Sequence, residues 1–171
     1  MGVTIEGIAR DLASERKQFA PHAYESTVDA VDRRLIAELQ VDGRVSLAEL
    51  GRRIGLSAPA VADRIKRLER SGVVTGYGAD VDPRALGYTL SAIMRIRPTA
   101  RLIPKVAELA RETPEVVECH RITGEDCFFM KLHVRDVGHL EEVIDRFILY
   151  GQTTTSIIQS SPVARRGPAV S

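Results

Sequence analysis

The sequence predicts an α+β protein built from a helical N-terminal half and a β-α-β-β-α-β C-terminal half. Two observations predict this fold class. Apolar residues between positions 28 and 70 recur at helical spacing, and after position 87 stretches with a period of two alternate with further helical stretches. A length of 171 residues is enough for two small domains. The composition, 44% hydrophobic and 27% charged, is that of a globular chain and argues against wholesale disorder.

The first predicted helix of the N-terminal half begins at Val28. Its apolar face is made by residues at i, i+3, i+7 and i+11, which are Val28, Val31, Leu35 and Leu39. Asp29 and Asp32 lie in the first turns, where the helix dipole favours negative charge. Asp42 and Gly43 are typical of a helix end, so the helix is predicted to end there.

Two shorter helices follow, each with its own start signal. Ser46 and Glu49 have the spacing of a capping box, in which the serine hydroxyl accepts from the Glu49 amide and the carboxylate reaches back. Gly55 then ends the helix. Ser57 is the predicted N-cap of the third helix, and Pro59 lies in its first turn, where a missing N–H costs nothing. The tight connection between the two helices is typical of a helix-turn-helix.

The outer surface of the third helix points to a nucleic acid as its partner. Small residues at its start allow close approach to base edges in the major groove, and Lys66, Arg67 and Arg70 are predicted to bind phosphates. Between positions 52 and 70 six basic side chains stand against two acidic ones, although the whole chain has a net charge of only +1. The residues predicted to contact DNA are Ser46, Ser57, Ala58, Pro59, Ala60, Asp63, Arg64, Lys66, Arg67 and Arg70. The alternative is a solvated basic face on a three-helix bundle.

The period of the pattern changes after Gly72. Residues 73–81 favour extended chain or a β-ribbon, and Pro83 and Gly87 indicate a connector. The second half then predicts four strands and two helices, in the order of the split ferredoxin-like βαββαβ unit. We predict an N-terminal extension over 1–27 that is a short helix or disordered, a winged helix-turn-helix over 28–82, a connector over 83–87, a ferredoxin-like domain over 88–162 and a tail over 163–171.

The central hairpin of the second half has a predictable register. If a tight turn covers residues 123–126, Ile122 faces Cys127, Glu118 lies opposite Lys131 and His120 opposite Phe129, and an opposite-charge pair across strands is favourable. The other face carries the residues expected beneath the helices, Phe128, Met130, Leu132 and Val134. The open face carries Ile93, Phe129 and His133, and it is a candidate dimer interface. The alternative is a face merely dotted with apolar residues.

The first of these two domains resembles the winged helix-turn-helix of the leucine-responsive and asparagine-regulator (Lrp/AsnC) transcription factors. The residues that carry the resemblance are Asp32, Leu35, Leu39, Asp42-Gly43-Arg44, Ser46, Leu50, Gly55-Leu56-Ser57, Val61, Arg64, Arg67-Leu68 and 72–77 (GVVTGY). The ferredoxin-like half is similar to the oligomerisation and effector-sensing domain of that family. Together the two resemblances cover about residues 28–165, in the family's domain order. The resemblance implies a recognition helix over 57–70 and a dimer that presents two such helices to neighbouring major-groove faces.

The resemblance also implies an effector-sensing loop. In the family this loop reads Thr or Ser, Gly, an acid, any residue, Asp and an aromatic, and here the implied effector-binding residues are Thr123, Gly124, Glu125, Asp126 and Cys127. The glycine and the first acid match, whereas Cys127 stands where the family has Asp, and Asp126 is shifted by one place. A carboxylate can pair with a ligand ammonium, and glycine amides can bind a ligand carboxylate. The structural alternative is that Gly124 only permits a positive φ in the turn.

Several function classes are disfavoured by the composition and the motifs. The two cysteines, Cys119 and Cys127, are too few for a disulfide scaffold and are predicted to be small buried side chains. The four histidines lack metal-ligand spacing, and no catalytic triad order, nucleophile elbow or phosphate-binding glycine loop is present. We therefore expect no enzyme activity, metal or cofactor. No apolar run approaches the ~18 residues of a membrane span, no secretory signal opens the chain, and a cytoplasmic, nucleoid-associated protein is expected.

These observations predict a sequence-specific transcriptional regulator. Its expected partners are double-stranded DNA, further copies of itself in a homodimer or a higher oligomer such as an octamer, and an amino acid or related small metabolite bound between subunits. Two alternatives remain open: an architectural DNA-binding protein without an effector, and a small enzyme on the ferredoxin-like domain, since a fold alone does not decide function.

Overall fold

The computed structural model describes residues 28–170, and the predicted N-terminal extension lies outside them. The described residues divide into two compact units, 28–80 with 163–170 and 81–162. The first unit contains three helices, which we name α1 (Ala30–Val41), α2 (Leu47–Ile54) and α3 (Ala58–Arg70). They enclose a small aliphatic core made of Leu35, Leu50, Ile54, Val61 and Leu68. The three predicted helices are therefore confirmed, except that α1 begins at Ala30 after its cap Asp29, so Val28 lies before the helix and not on its apolar face.

The predicted N-cap of α2 is confirmed, but the complete capping box is found at α1 and not at α2. Ser46 caps α2 by accepting from the Glu49 amide at 3.2 Å, as expected. The Glu49 carboxylate does not complete the predicted capping box, because both of its oxygens accept from Arg52 and Arg53 instead. A guanidinium binds a carboxylate more strongly than a neutral amide does. The complete capping box is at α1, where the Asp29 carboxylate and the Asp32 amide, and the reverse pair, are hydrogen-bonded.

Residues 71–82 contain no strand, and they begin with a turn and a bend over 71–74. The segment turns back on α3, because the amides of Val73 and Val74 both donate to the Leu68 carbonyl. A wing built as a β-ribbon, one of the two predicted alternatives, is thus not formed by the residues that the structure describes. A 3-10 turn over Pro83–Leu86 then occupies the predicted connector.

The second unit has the predicted ferredoxin-like topology. Its elements are β1 (Leu90–Pro98), α4 (Ile103–Glu112), β2 (Val116–Arg121), β3 (Phe128–Val134), α5 (Val137–Ile148) and β4 (Gly151–Ile157), with a 3-10 turn over Ala100–Leu102 before α4. The antiparallel strands lie in the order β2-β3-β1-β4. The alternate residues of β3 that were predicted to lie beneath the helices are buried, and with alternate residues of β1 they form the core with both helices.

The hairpin of β2 and β3 has the predicted register. Glu118 pairs with Lys131 and His120 with Phe129, and the Ile122 amide donates to the Cys127 carbonyl at 3.0 Å. The prediction that both cysteines are buried is wrong for Cys119, which is exposed, while Cys127 is half-buried. Cys119 lies on the edge strand of the sheet, where an alternating pattern does not ensure cover on either face.

The tail over 163–170 has no regular secondary structure, yet it is assigned to the compact unit of the three helices. The Gln40 side chain of α1 donates to the Pro168 carbonyl at 3.2 Å, and Gly167 lies against the same side chain. Among the described residues no helix is long and apolar enough to cross a membrane.

Candidate nucleic-acid interface and effector loop

The outer face of α3 is the exposed basic surface that the pattern predicted. Pro59, Asp63, Lys66, Arg67 and Arg70 are exposed, and the half-buried Ala58, Ala60 and Arg64 flank them. The inward positions, Val61 and Leu68, are almost fully buried. The structure therefore presents small side chains at the start of the helix and cations along its later turns. Such an arrangement can place the first turn against base edges and the later turns against phosphates.

Side-chain N-caps stabilise the first turns of both helices of the helix-turn-helix. The Ser57 hydroxyl accepts from the Ala60 amide at 3.4 Å at the start of α3, and Ser46 has the corresponding place on α2. Gly55 ends α2 in the left-handed conformation, with φ 79°. Both predicted serines are exposed N-caps. Their hydroxyls lie at helix N-termini, where a phosphate is also favourably bound.

Ser57→Ala is expected to lower the free energy of unfolding by about 1 kcal/mol, because the first turn of α3 loses its side-chain acceptor. Urea denaturation followed by circular dichroism measures the change. Ser160→Ala, at an exposed position after β4, serves as the matched control. If both variants unfold at the same urea concentration as the parent, the Ser57 hydroxyl is not a stabilising cap.

Two arginines of α3 are bound within the protein. Arg64 Nη1 lies 2.6 Å from Asp29 Oδ2 and 2.8 Å from Asp32 Oδ1, and Arg67 Nη2 lies 2.5 Å from Asp32 Oδ2. The Asp32 side chain is fully buried. The hydrogen bond from Arg64, together with that from the Asp32 amide, lowers the pKa of the Asp29 carboxyl to about 2. These aspartates were predicted only as helix-dipole partners, and their ion pairs to α3 were not foreseen.

A second ion-pair cluster joins α2 to α1. Arg53 contacts both Glu38 and Glu49, at 2.8 and 2.7 Å, and Arg52 also contacts Glu49 at 2.7 Å. Hydrogen bonds from the two arginines lower the pKa of the Glu49 carboxyl to about 2. Four of the six basic side chains between positions 52 and 70 are thus paired with carboxylates. Within residues 28–170 no ion pair joins Lys66 or Arg70 to a carboxylate, and these two cations are the ones most available to DNA.

The predicted effector loop lies at one end of the four-stranded sheet. Gly124 has φ 117°, so the positive φ expected for that glycine in the turn is confirmed. Asp126 lies 3.2 Å from Arg95 and Glu125 lies 3.1 Å from Arg97, in each case measured from carboxylate oxygen to guanidinium nitrogen. The loop therefore presents charges of both signs. Thr123 is exposed, whereas the half-buried Cys127 packs against the core of the domain.

The two arginines of β1 that form ion pairs with this loop, Arg95 and Arg97, were not predicted from the sequence. Arg95 and Arg97 were hidden in a strand whose alternate residues, Met94 and Ile96, supplied the signal for a buried face. Their spacing of two places both on the open face of β1, where Arg95 pairs across the sheet with Phe129. The signal that could have predicted them is the pair of basic residues at the exposed positions near the end of β1, where apolar residues occupy the alternate, buried positions.

The open face of the sheet carries the residues predicted for it. Ile93 is opposite Lys131 and Ser91 is opposite His133, so these side chains and Phe129 share one face. The Ser91 hydroxyl lies 2.8 Å from His133 Nδ1, and burial together with the nearby Lys131 lowers the pKa of His133. Among the described residues no group of three or more histidines, cysteines and carboxylates is arranged to hold a metal ion.

Comparison with known proteins places both units in one family. Residues 28–69 match the AsnC-type helix-turn-helix domain, and residues 91–168 match the Lrp/AsnC ligand binding domain. The HTH-type transcriptional regulator LrpA of Mycobacterium tuberculosis is 38% identical over 137 residues, which are 80% of this chain and 89% of that protein.

Solved structures agree with this assignment. Bacillus subtilis LrpC is 31% identical, with a TM-score of 0.77 over 81% of this chain and 99% of that one. The feast or famine regulatory protein of M. tuberculosis complexed with L-methionine is 34% identical, with a TM-score of 0.78 over 83% and 99% of the two chains. The fold, the domain order and these relatives agree, and the chain belongs to the Lrp/AsnC family of helix-turn-helix transcriptional regulators.

Proposed function

We propose that this regulator reads double-stranded DNA as a homodimer or a higher oligomer such as an octamer, with α3 in the major groove. The observation that carries the proposal is the outer face of α3, where small residues, exposed or half-buried, precede Lys66 and Arg70, two exposed cations without an ion pair to a carboxylate within residues 28–170. In this arrangement Ala58, Pro59 and Ala60 meet base edges and the two cations meet phosphates. One such module buries too little DNA surface for the affinity of a regulator, which favours an assembly with several copies of α3.

Lys66→Ala and Arg70→Ala are each expected to weaken binding to all duplexes alike and to reduce the slope of log K against log salt concentration by about 0.9, because each removes one phosphate contact. The probe is a duplex selected from a random library by the full-length protein, and fluorescence anisotropy at several salt concentrations gives the slope. Lys105→Ala, at an exposed position on α4 of the other unit, removes the same charge as a control. Slopes that stay at the parent value in both α3 variants would contradict the proposal.

The open face of the sheet is the proposed surface of assembly. Ile93, Phe129 and His133 offer apolar and partly apolar area on a face that carries no helix in the described domain. Unpartnered faces of this kind mark protein interfaces. Light scattering of the full-length protein tests the oligomeric state, and a monomer at micromolar concentration would contradict this part of the proposal.

We further propose that an amino acid or related small metabolite binds at the loop over 123–127, where subunits meet. A free amino acid carries an ammonium and a carboxylate, and the loop holds Asp126 and Glu125 beside Arg95 and Arg97. Each charged group of the ligand thus finds an opposite charge, and the Gly124 backbone lies open between them. L-Methionine in the related M. tuberculosis protein supports this ligand class. A site between subunits couples ligand binding to assembly, because the ligand favours the association state that it binds best.

A further inference from the structure

The start of α1 and the middle of α3 are joined by ion pairs within the protein, in which Asp32 is fully buried while Asp29 and Arg67 stay about half exposed. Asp29 and Asp32 lie one turn apart on α1, and Arg64 and Arg67 lie at the same spacing on α3. Arg64 reaches both carboxylates and Arg67 reaches Asp32, all within 2.8 Å between nitrogen and oxygen. These ion pairs occupy two guanidinium groups on α3, the helix that we propose to bind DNA.

The two aspartates are themselves held in place. Asp29 Oδ1 accepts from the Asp32 amide at 2.7 Å, and Asp32 Oδ2 accepts from the Asp29 amide at 3.1 Å. The Asp32 carboxylate is without solvent exposure, so its charge depends on these donors and on the two arginines. The capping box thus fixes the carboxylates at the position where Arg64 and Arg67 meet them, which makes the cluster a rigid acceptor for both guanidinium groups.

We propose that Asp29 and Asp32 are positioning residues that set how many phosphates the recognition helix neutralises, because they hold Arg64 and Arg67 in ion pairs within the protein. The inference rests on the proposed DNA binding. Phosphate contacts raise affinity for every sequence, whereas base contacts discriminate between sequences. When Arg64 and Arg67 are held in these ion pairs, fewer cations contact the phosphates of the DNA. The sequence-independent part of the affinity is then lower, whereas base contacts from the first turn of α3 are unaffected.

The test exploits the fact that asparagine and serine cap a helix about as well as aspartate does. Asp29→Asn and Asp29→Ser keep an acceptor for the Asp32 amide but remove one of the two carboxylate charges that Arg64 contacts, leaving Asp32 to pair with both arginines. We expect each variant to steepen the slope of log K against log salt concentration by up to about 0.9 on a duplex of random sequence, which corresponds to up to about eightfold tighter binding at 0.1 M salt. A purely structural role for Asp29 would weaken binding or leave the slope unchanged.

Two further variants make the result specific. Asp42→Asn at the other end of α1 changes the net charge equally, and Asp42 is not paired with an arginine of α3. We expect it to leave the slope at the parent value. Adding Arg64→Gln to Asp29→Asn is expected to remove the increase in slope, because the guanidinium that has lost its pair with Asp29 is then absent. Circular dichroism confirms that each variant is folded.

The outcomes separate the two proposals. A steeper slope in both Asp29 variants that Arg64→Gln cancels supports the inference. A slope in both Asp29 variants equal to that of Asp42→Asn, or an increment that survives Arg64→Gln, overturns it while DNA binding itself stands. A parent protein that binds no duplex at any salt concentration overturns the proposed function, and the inference falls with it.

Discussion

Gly51→Ala is expected to abolish DNA binding while the ligand-binding domain stays folded. A Cβ at Gly51 would lie 2.4 Å from the Leu56 carbonyl oxygen, far closer than any tolerated contact. The obstacle is the backbone of the turn, which folds over α2 because the Gly55 and Leu56 amides both donate to the Gly51 carbonyl. No side chain can move aside to relieve it. The turn and the start of α3 have to shift, at a cost of about 3 kcal/mol.

This cost falls on a three-helix unit with a core of five buried residues, and such small units have little stability in reserve. Hydrogen exchange of the full-length variant is expected to show lost protection over 30–70 and retained protection over 90–157. Gly78→Ala is the matched control, because a Cβ there meets nothing within 4 Å and its φ is not positive. If the amides of residues 30–70 stay protected from exchange in Gly51→Ala and this variant binds DNA as Gly78→Ala does, the close approach of Gly51 to the Leu56 carbonyl does not constrain the fold.

Local signals in the sequence were sufficient for the helix starts and for the hairpin. Ser57 and Pro59 define the start of α3 without any distant partner, because the orphan amides of a first turn lie within three residues of the cap. The pairing of Ile122 with Cys127 followed from turn length alone, and it set the register of the pairs from Arg121 back to Glu118. The irregularity beyond Glu118, which places Val116 opposite Leu132, did not follow from the turn. Such features depend on neighbours in the chain, which a sequence displays directly.

Partner choice among charged side chains was not predictable in the same way. The ion pair of Arg64 with Asp29 spans 35 residues, and the helical period places both residues on the correct helices without showing that they face each other. Glu49 had two local uses, as the acceptor of a capping box and as the partner of Arg52, and the charged donor prevailed. The count of basic residues on the helix-turn-helix therefore overstated the cations available to DNA.

Exposure at the sheet edge was the other feature that escaped prediction. Cys119 occupies a position that alternation assigns to the helix-covered side, opposite the buried Met130. Alternation tells which face a side chain joins, but the extent of cover depends on where the strand lies in the sheet, and β2 is at the edge. That order follows from the ferredoxin-like topology and not from the residues of β2 themselves.

Gly124→Asp is expected to eliminate the response to an amino-acid ligand while DNA binding persists. The added side chain has room, since nothing lies within 4 Å of a Cβ at this position. The backbone is the obstacle, because φ 117° is a conformation that residues with a Cβ rarely adopt. Relief of this strain has to move the loop, and with it Glu125 and Asp126, away from the arginines that hold them.

Thermal denaturation with a panel of L-amino acids, L-methionine among them, measures the response. A ligand at 100 times its Kd stabilises the native state by about 2.7 kcal/mol, and this shift is expected in the parent and absent in Gly124→Asp. Gly78→Asp carries the same substitution and charge in the helical unit, at a position with open space and no positive φ, and it is expected to keep the full shift. A shift retained in Gly124→Asp would remove the loop from the sensing site. A parent that responds to no amino acid would instead favour the architectural DNA-binding alternative, because the paired charges at the end of the sheet would then serve only to fix the turn between β2 and β3.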